Sequence, residues 1–239
     1  MTLDLYAGRD PREIPTYPIA EVARMAGVPR ATLRSWVEGR RYPTQSGEGF
    51  FAPLIERPDP TSPMLSFVNL IETHVLAALR RQHQVPLTNV RRALDYLRES
   101  FPSPHPLAEQ SFETDGVDVF IQEYGQLINV SRGGQTEMRE MIEAHLRRVE
   151  RDPQGRPVRL FPFVRRREDV QPQEIAAIPR FIVIDPFVSF GQPVLAGSGI
   201  PTAVIADRFQ AGESLGELAA DYDRSPQHIE EAIRYELAA

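Results

Sequence analysis

Residues 19–38, IAEVARMAGVPRATLRSWVE, leave this chain few ways to fold locally. Two short runs with apolar residues at helical spacing flank the turn Gly27-Val28-Pro29. Two helices crossing steeply at such a turn need a small residue where they touch, a turn residue that tolerates positive φ, and apolar groups reaching one core from both sides. Ala23 supplies the small contact, and Gly27 the turn, with no Cβ to penalise the left-handed conformation. Ile19, Val22, Val28, Leu33, Trp36 and Val37 form the predicted core, and Pro29 suits the entry to the second helix. The remaining face of that helix carries Arg30, Thr32 and Arg34, followed by Arg40 and Arg41. Arginine and threonine match base edges and phosphates. Thr32 equally suits a local cap, and the whole pattern also fits a helical hairpin with a solvated basic face.

The pattern recurs 196 positions later, in LGELAADYDRSPQHIEEAI, residues 215–233. Leu215 falls on Ile19, Leu218 on Val22, Ala219 on Ala23, Ile229 on Leu33, Ala232 on Trp36 and Ile233 on Val37. Asp223 falls on Gly27, and aspartate tolerates the left-handed region better than most residues. A second helix-turn-helix is therefore predicted, with different chemistry. Its second helix offers Glu230, Glu231 and Glu236 against Arg234, which suits a basic protein partner better than phosphate. Glu230, Glu231, Arg234 and Tyr235 are the candidate partner-binding residues; a purely structural role is the alternative.

The charge balance separates the same two ends. The formal net charge is −6, but residues 1–100 hold 13 Arg against 11 Asp/Glu, residues 101–180 hold 11 against 13, and residues 181–239 hold 3 against 9. All 27 cationic side chains are arginine, the better group for bidentate phosphate contacts. There is no cysteine, which removes disulfides, thiolate nucleophiles and sulfur-bound zinc. His74, His83, His105, His145 and His228 include no i, i+4 pair, so neither metal nor other cofactor is expected. No nucleophile–base spacing points to an enzyme. Gly197-Ser198-Gly199 lacks the Lys-Ser/Thr ending of a phosphate loop and reads as a tight turn. No run approaches the roughly 18 apolar residues of a membrane span, and the start lacks the basic and apolar regions of a signal peptide, so a cytoplasmic protein is expected.

At 239 residues, two or three modest domains are expected. Residues 1–17 read as an arm and 40–63, rich in Pro, Gly and Ser, as an irregular wing or loop. Residues 64–83 place Leu65, Val68, Ile71, Val75 and Leu79 on one helical face, and a further helix opens at Leu87 or Thr88 with Val90, Leu94 and Leu97 buried. Prolines in 101–106 stop it. Residues 117–122 and 126–131 read as a strand pair, 135–152 as an amphipathic helix, 155–164 as an extended run and 165–179 as a linker. The 135–152 helix either forms a dimer interface or is covered by the middle strands. Residues 180–201 are strand-like and glycine-punctuated, and helices follow over 202–211, 214–221 and 226–237, with Ser214 and Ser225-Pro226 as start signals. The fold class is mainly α with small β elements (α+β). Its parts are an N-terminal domain over 1–100, a central α+β domain over 107–165 and a C-terminal hairpin-plus-three-helix module over 180–239.

YPIAEVARMAGVPRATLRSW resembles the N-terminal winged helix-turn-helix domain of the MerR family of transcription regulators, with the later VPLTNVRRALDYL similar to that family's second helix pair. The resemblance covers residues 17–100 and implies that Arg30, Thr32 and Arg34 face the groove, with Arg40, Arg41 and Tyr42 near the DNA backbone. The wing, 43–63, is longer and richer in proline than the family pattern. GQPVLAGSGIPTAVIADRFQAGESLGELAADY resembles a small antitoxin-associated, winged-helix-like family of unknown function, with Ser198-Gly199 where Thr-Arg is usual. The three-part arrangement is similar to the larger VapB-type antitoxins. That implies a repressor that binds operator DNA and neutralises a PIN-domain ribonuclease toxin; because two-fold operators favour dimeric readers, a homodimer is expected. The alternative is a MerR-like regulator whose central segment, 107–165, senses a small ligand.

Overall fold

One helix organises the front of the molecule. The structure, a computed structural model, describes residues 6–44, 47–82, 87–101, 103–128, 132–163 and 178–237. The helices are α1 (Ile19–Ala26), α2 (Arg30–Glu38), α3 (Phe67–Gln82), α4 (Leu87–Ser100), α5 (Val117–Ile128), α6 (Arg132–Leu146), α7 (Thr202–Gln210), α8 (Leu215–Asp221) and α9 (Pro226–Leu237). The strands are β1 (Tyr17–Pro18), β2 (Arg40–Thr44), β3 (Gly47–Phe51), β4 (Met64–Leu65), β5 (Val149–Arg151), β6 (Pro157–Leu160), β7 (Ile182–Ile184) and β8 (Pro193–Leu195). This is the expected α+β class, mainly helical with small antiparallel sheets.

Helix α3 carries the apolar face read from its spacing, yet residues 65–78 are buried on every side. It packs against α1 and α6, so Asn69, Glu72, Thr73 and His74 are buried with the leucines and valines. Each finds a partner: Thr73 Oγ1 donates to Asn69 O at 2.8 Å, Asn69 Nδ2 to Glu56 O at 2.9 Å, and His74 Nε2 lies 3.1 Å from His145 O. The main core runs continuously from Tyr17 through α1–α6 to Leu160 and Ile184. A second core joins Leu195 of β8 to Ile205, Leu218, Ile229 and Ile233 of α7–α9.

Four expectations are corrected. The strand pair over 117–131 is the single helix α5, running through Gly125; residues 129–131 lie outside the described residues. Val117, Phe120 and Ile121 are buried while Asp118 and Gln122 are exposed, because α5 is gripped by α4 and α6 and packing overrides the β-branched composition. The 135–152 helix begins at Arg132 and ends at Leu146, and Val149 opens β5. Its apolar residues Met138, Met141, Ile142 and Leu146 are buried, and it packs against helices α3 and α5, not under strands. Residues 40–51 form a regular hairpin, β2–β3. The arm is anchored from residue 6: β1 pairs with β4, and Arg12, buried, binds Asp10 and Asp152 at 2.8 and 2.7 Å.

The four-stranded antiparallel sheet β5-β6-β7-β8 takes two strands from the segment read as central and two from the segment read as C-terminal. It is continuous across Leu160↔Ile184. The linker between them, up to residue 177, lies outside the described residues, as do His83 and the side chain of Leu79.

A buried pair inside this core gives the fold a pH dependence. Glu72 accepts from His105 Nδ1 at 3.0 Å and from Asn69 Nδ2 at 3.2 Å. Burial pushes the Glu72 carboxyl up, against the pull of His105. Burial opposes the charged His105 ring, but the hydrogen bond and charge of Glu72 outweigh it and hold the ring above its ordinary 6.5. At both groups the folded chain binds protons more tightly than the unfolded one, so stability falls as pH rises. The His105 contribution is fully present below pH 6.5 and is lost as pH climbs through the raised value. Urea midpoints should therefore be higher below pH 6.5 than in mild alkali, and His105→Asn should flatten that difference. Parallel profiles for the two proteins would remove His105 as the cause.

Candidate nucleic-acid interface

The groove-reading candidate is built from α1, α2 and the wing. Helix α1 ends where Gly27 takes the left-handed conformation, φ 66° and ψ 34°. Its N–H caps α1, and Val28 N–H donates back to Ala23 O at 2.9 Å. Helix α2 starts after Pro29 and buries Leu33, Trp36 and Val37. Leu54 and Ile55 N–H both donate to Trp36 O, at 2.7 and 3.1 Å, which stitches the chain returning from the wing to the helix. The outer face of α2 is left to Arg30 and Arg34; Arg34 is exposed and only loosely paired, 3.7 Å from Glu38. Thr32 is half-buried on the same turn.

In the wing, Arg40 and Arg41 are exposed and Arg41 bridges to Glu48 at 2.8 Å. Tyr42 is half-buried because its ring stacks on Phe51 at 4.0 Å between centroids. The Arg91 guanidinium lies 5.7 Å from the Phe51 ring, tying the wing to α4. The six sequence-predicted residues thus fall on one continuous stretch of α2 and wing, four of them exposed arginines and two, Thr32 and Tyr42, partly covered.

The second helix-turn-helix repeats the first in backbone detail. Asp223 has φ 50° where Gly27 has 66°. Val28 N–H to Ala23 O, at 2.9 Å, has its counterpart in Arg224 N–H to Ala219 O at 3.0 Å. Thr32 N–H to Pro29 O, at 2.9 Å, is matched by His228 N–H to Ser225 O at 3.0 Å. A capping box at Ser214 and Glu217 opens α8.

Its candidate partner residues divide. Glu230 and Glu231 are half-buried and both pair with Arg234 along α9, so much of their charge is answered within the helix. Tyr235 faces inward, buried beneath the Arg24 guanidinium, which lies 5.0 Å from its ring. Glu236 also turns in, binding Arg24 at 3.2 Å and the Thr202 hydroxyl. The last turn of α9 is thus the seat of α1. Arg24 was not singled out by sequence; its one signal is a charged residue set among the buried Val22, Ala23, Met25 and Ala26. Among the described residues there is no group of three potential metal ligands and no helix long and apolar enough to cross a membrane.

Residues 15–94 match a family described as "Putative DNA-binding HTH domain", and residues 182–235 a "Protein of unknown function (DUF433)". Among curated proteins, the chain is 33% identical to "Putative antitoxin VapB45" of Mycobacterium tuberculosis, across 92% of this chain and 93% of that protein. It is 27% identical to "Uncharacterized protein Rv2308" of the same organism, across 92% and 89%. Among solved structures, the crystal structure of Rv2018 from Mycobacterium tuberculosis matches with a TM-score of 0.63 and 27% identity, over 92% of this chain and 98% of that one.

Proposed function

The chain belongs to the family of the putative antitoxin VapB45, and from that footing we propose that it is a regulatory antitoxin that acts without catalysis. It binds operator DNA through a MerR-like winged reader and neutralises a PIN-domain ribonuclease through its C-terminal module. In this reading it represses its own operon as a cytoplasmic homodimer, since a two-fold operator favours a dimeric reader. Residues 1–100 serve as the DNA-binding domain, 107–165 as the connecting domain and 180–239 as the partner-binding domain.

The observation that carries the DNA part is the exposed arginine face of α2, held on a buried helix pair beside a basic wing. The partner part draws support from the C-terminal excess of acid and from apolar side chains left in solvent there. Phe187 and Phe190 are 53% and 62% exposed on the turn before β8, area that a bound protein covers favourably.

Two assays on the purified full chain test this. Added in stoichiometric amount, it should abolish RNA cleavage by the PIN-domain ribonuclease expected to co-purify with it from its native extract, and it should retard a duplex from upstream of its own gene in preference to a scrambled one. Undiminished cleavage at saturating chain would refute the antitoxin role, and equal retardation of both duplexes would refute operator reading.

A further inference from the structure

The wing has two unlike faces. Strand residues alternate, and cross-strand partners share a face. The register pairs Arg40 with Phe51, Arg41 with Phe50 and Tyr42 with Gly49. One face therefore carries Arg40, Tyr42 and Phe51, half of it turned against Arg91 of the body. The other carries Arg41, Glu48 and Phe50, all exposed. Phe50 is 59% exposed, the most exposed large apolar side chain described in the first half of the chain.

Its position is fixed all the same. The ring rests on Gly39, the residue that ends α2, where φ is 79° and a methyl group would overlap both the Phe50 ring and the Phe51 carbonyl. Phe50 thus stands at the joint between α2 and the wing. Arg40 and Arg41 adjoin it in the hairpin and Arg34 lies on the helix that leads into the joint. An exposed aromatic ring on the face of Arg41 and Glu48 contributes nothing to the core. The four exposed arginines of α2 and the wing outnumber Glu38 and Glu48 there, which favours a polyanion over a cationic partner surface.

We propose that Phe50 is a DNA-contacting residue, its ring packing on the apolar edge of the duplex, deoxyribose carbons or thymine methyls, where the wing flanks the groove read by α2. This rests on the reading of α1–α2 as the operator reader. Arg41 exchanges its Glu48 partner for phosphate in the same contact, so the two residues act differently on salt: a phosphate contact releases counterions and an apolar contact does not.

The test measures binding of full-chain Phe50→Ala, Phe50→Leu and Arg41→Ala to the upstream duplex and to a scrambled one across a salt series. Phe50→Ala should bind the upstream duplex about tenfold or more weakly with an unchanged salt slope, the size of one lost base contact. Phe50→Leu should recover part of that loss, and Arg41→Ala should lower the slope. Repeating the titration with uracil in place of thymine assigns the contact: a loss for wild type that Phe50→Ala does not share places the ring on methyl groups, and none places it on deoxyribose. Wild-type affinity in Phe50→Ala overturns the inference while leaving the reader standing. A Phe50→Ala loss that coincides with dissociation of a wild-type dimer overturns it in favour of self-association. No wild-type preference for the upstream duplex removes the reader and this contact together.

Discussion

Alanine at both Arg30 and Arg34 is expected to weaken binding to the upstream duplex by about 2–6 kcal/mol, taking about 1–3 kcal/mol for each arginine that makes a bidentate base contact. The fold should be indifferent. Both side chains are exposed, and the single ion pair involved, Arg34 with Glu38 at 3.7 Å, is a surface contact of small worth. The two residues sit one helical turn apart, so their losses need not add and the single variants must accompany the double. Salt separates the roles. An arginine on a base edge costs more on the upstream duplex than on the scrambled one. An arginine on phosphate costs equally on both and lowers the salt slope by about 0.9. Unchanged affinity in the double variant would return this face to plain solvated surface.

Both helix pairs were legible because every requirement they impose is local. Apolar spacing, a small contact residue and a left-handed turn residue all lie within twenty positions, and the offset of 196 carried from residue types to the hydrogen bonds themselves, Ala23 to Val28 and Ala219 to Arg224. Residues 117–122 fail for the converse reason. Val117, Val119 and Ile121 alternate with Asp118 and Gln122 as a strand would, and Val117, Phe120 and Ile121 also share a helix face. Only the surfaces of α4 and α6 decide between the two periods, and neither is readable from the segment. The same non-locality hid the buried charges. Glu72 lies on a helix whose spacing shows one apolar face, yet residues 65–78 are buried all round. Tyr235 and Glu236 read as part of a solvent-facing acidic helix because α1, the element that covers them, is some two hundred residues away in sequence. In the candidate interface the arginines of α2 and the place of the wing could be read from sequence, whereas the regular pairing of the wing could not. Its Pro-, Gly- and Ser-rich text argued for an irregular wing or loop, and pairing with a neighbour strand supplied the order.

Arg148 is the sharpest case of a charge that only the fold explains, and its removal should produce the largest loss of stability. The side chain is 2% exposed. Its Nε donates to Phe161 O at 2.9 Å, Nη1 to Ile178 O at 2.7 Å, and Nη2 to Pro162 O and Pro179 O at 3.2 and 3.3 Å. The guanidinium thus joins the end of the β6 strand to the chain entering β7, the two ends between which the sheet crosses from central to C-terminal segment. Among the described residues no carboxylate pairs with it; burial, with the charge of Arg180 nearby, pulls it down to about 10, and the Phe163 ring lies 5.0 Å away. Arg148→Met keeps the bulk and removes every donor. The two carbonyls on buried residues, Phe161 O and Pro162 O, cost about 1–3 kcal/mol each when left unpaired, and relief of the charge's own desolvation offsets part of the sum. The net expectation is about 2–4 kcal/mol, a large share of the roughly 5–15 kcal/mol that holds a domain together. Arg148→Lys should recover only a fraction, because a single ammonium cannot span carbonyls on both segments. Urea unfolding of the three proteins decides it, read beside hydrogen exchange at β6 and β7. A methionine variant within about 1 kcal/mol of wild type, comparable to one ordinary hydrogen bond, would show that the sheet pairing alone carries the crossing.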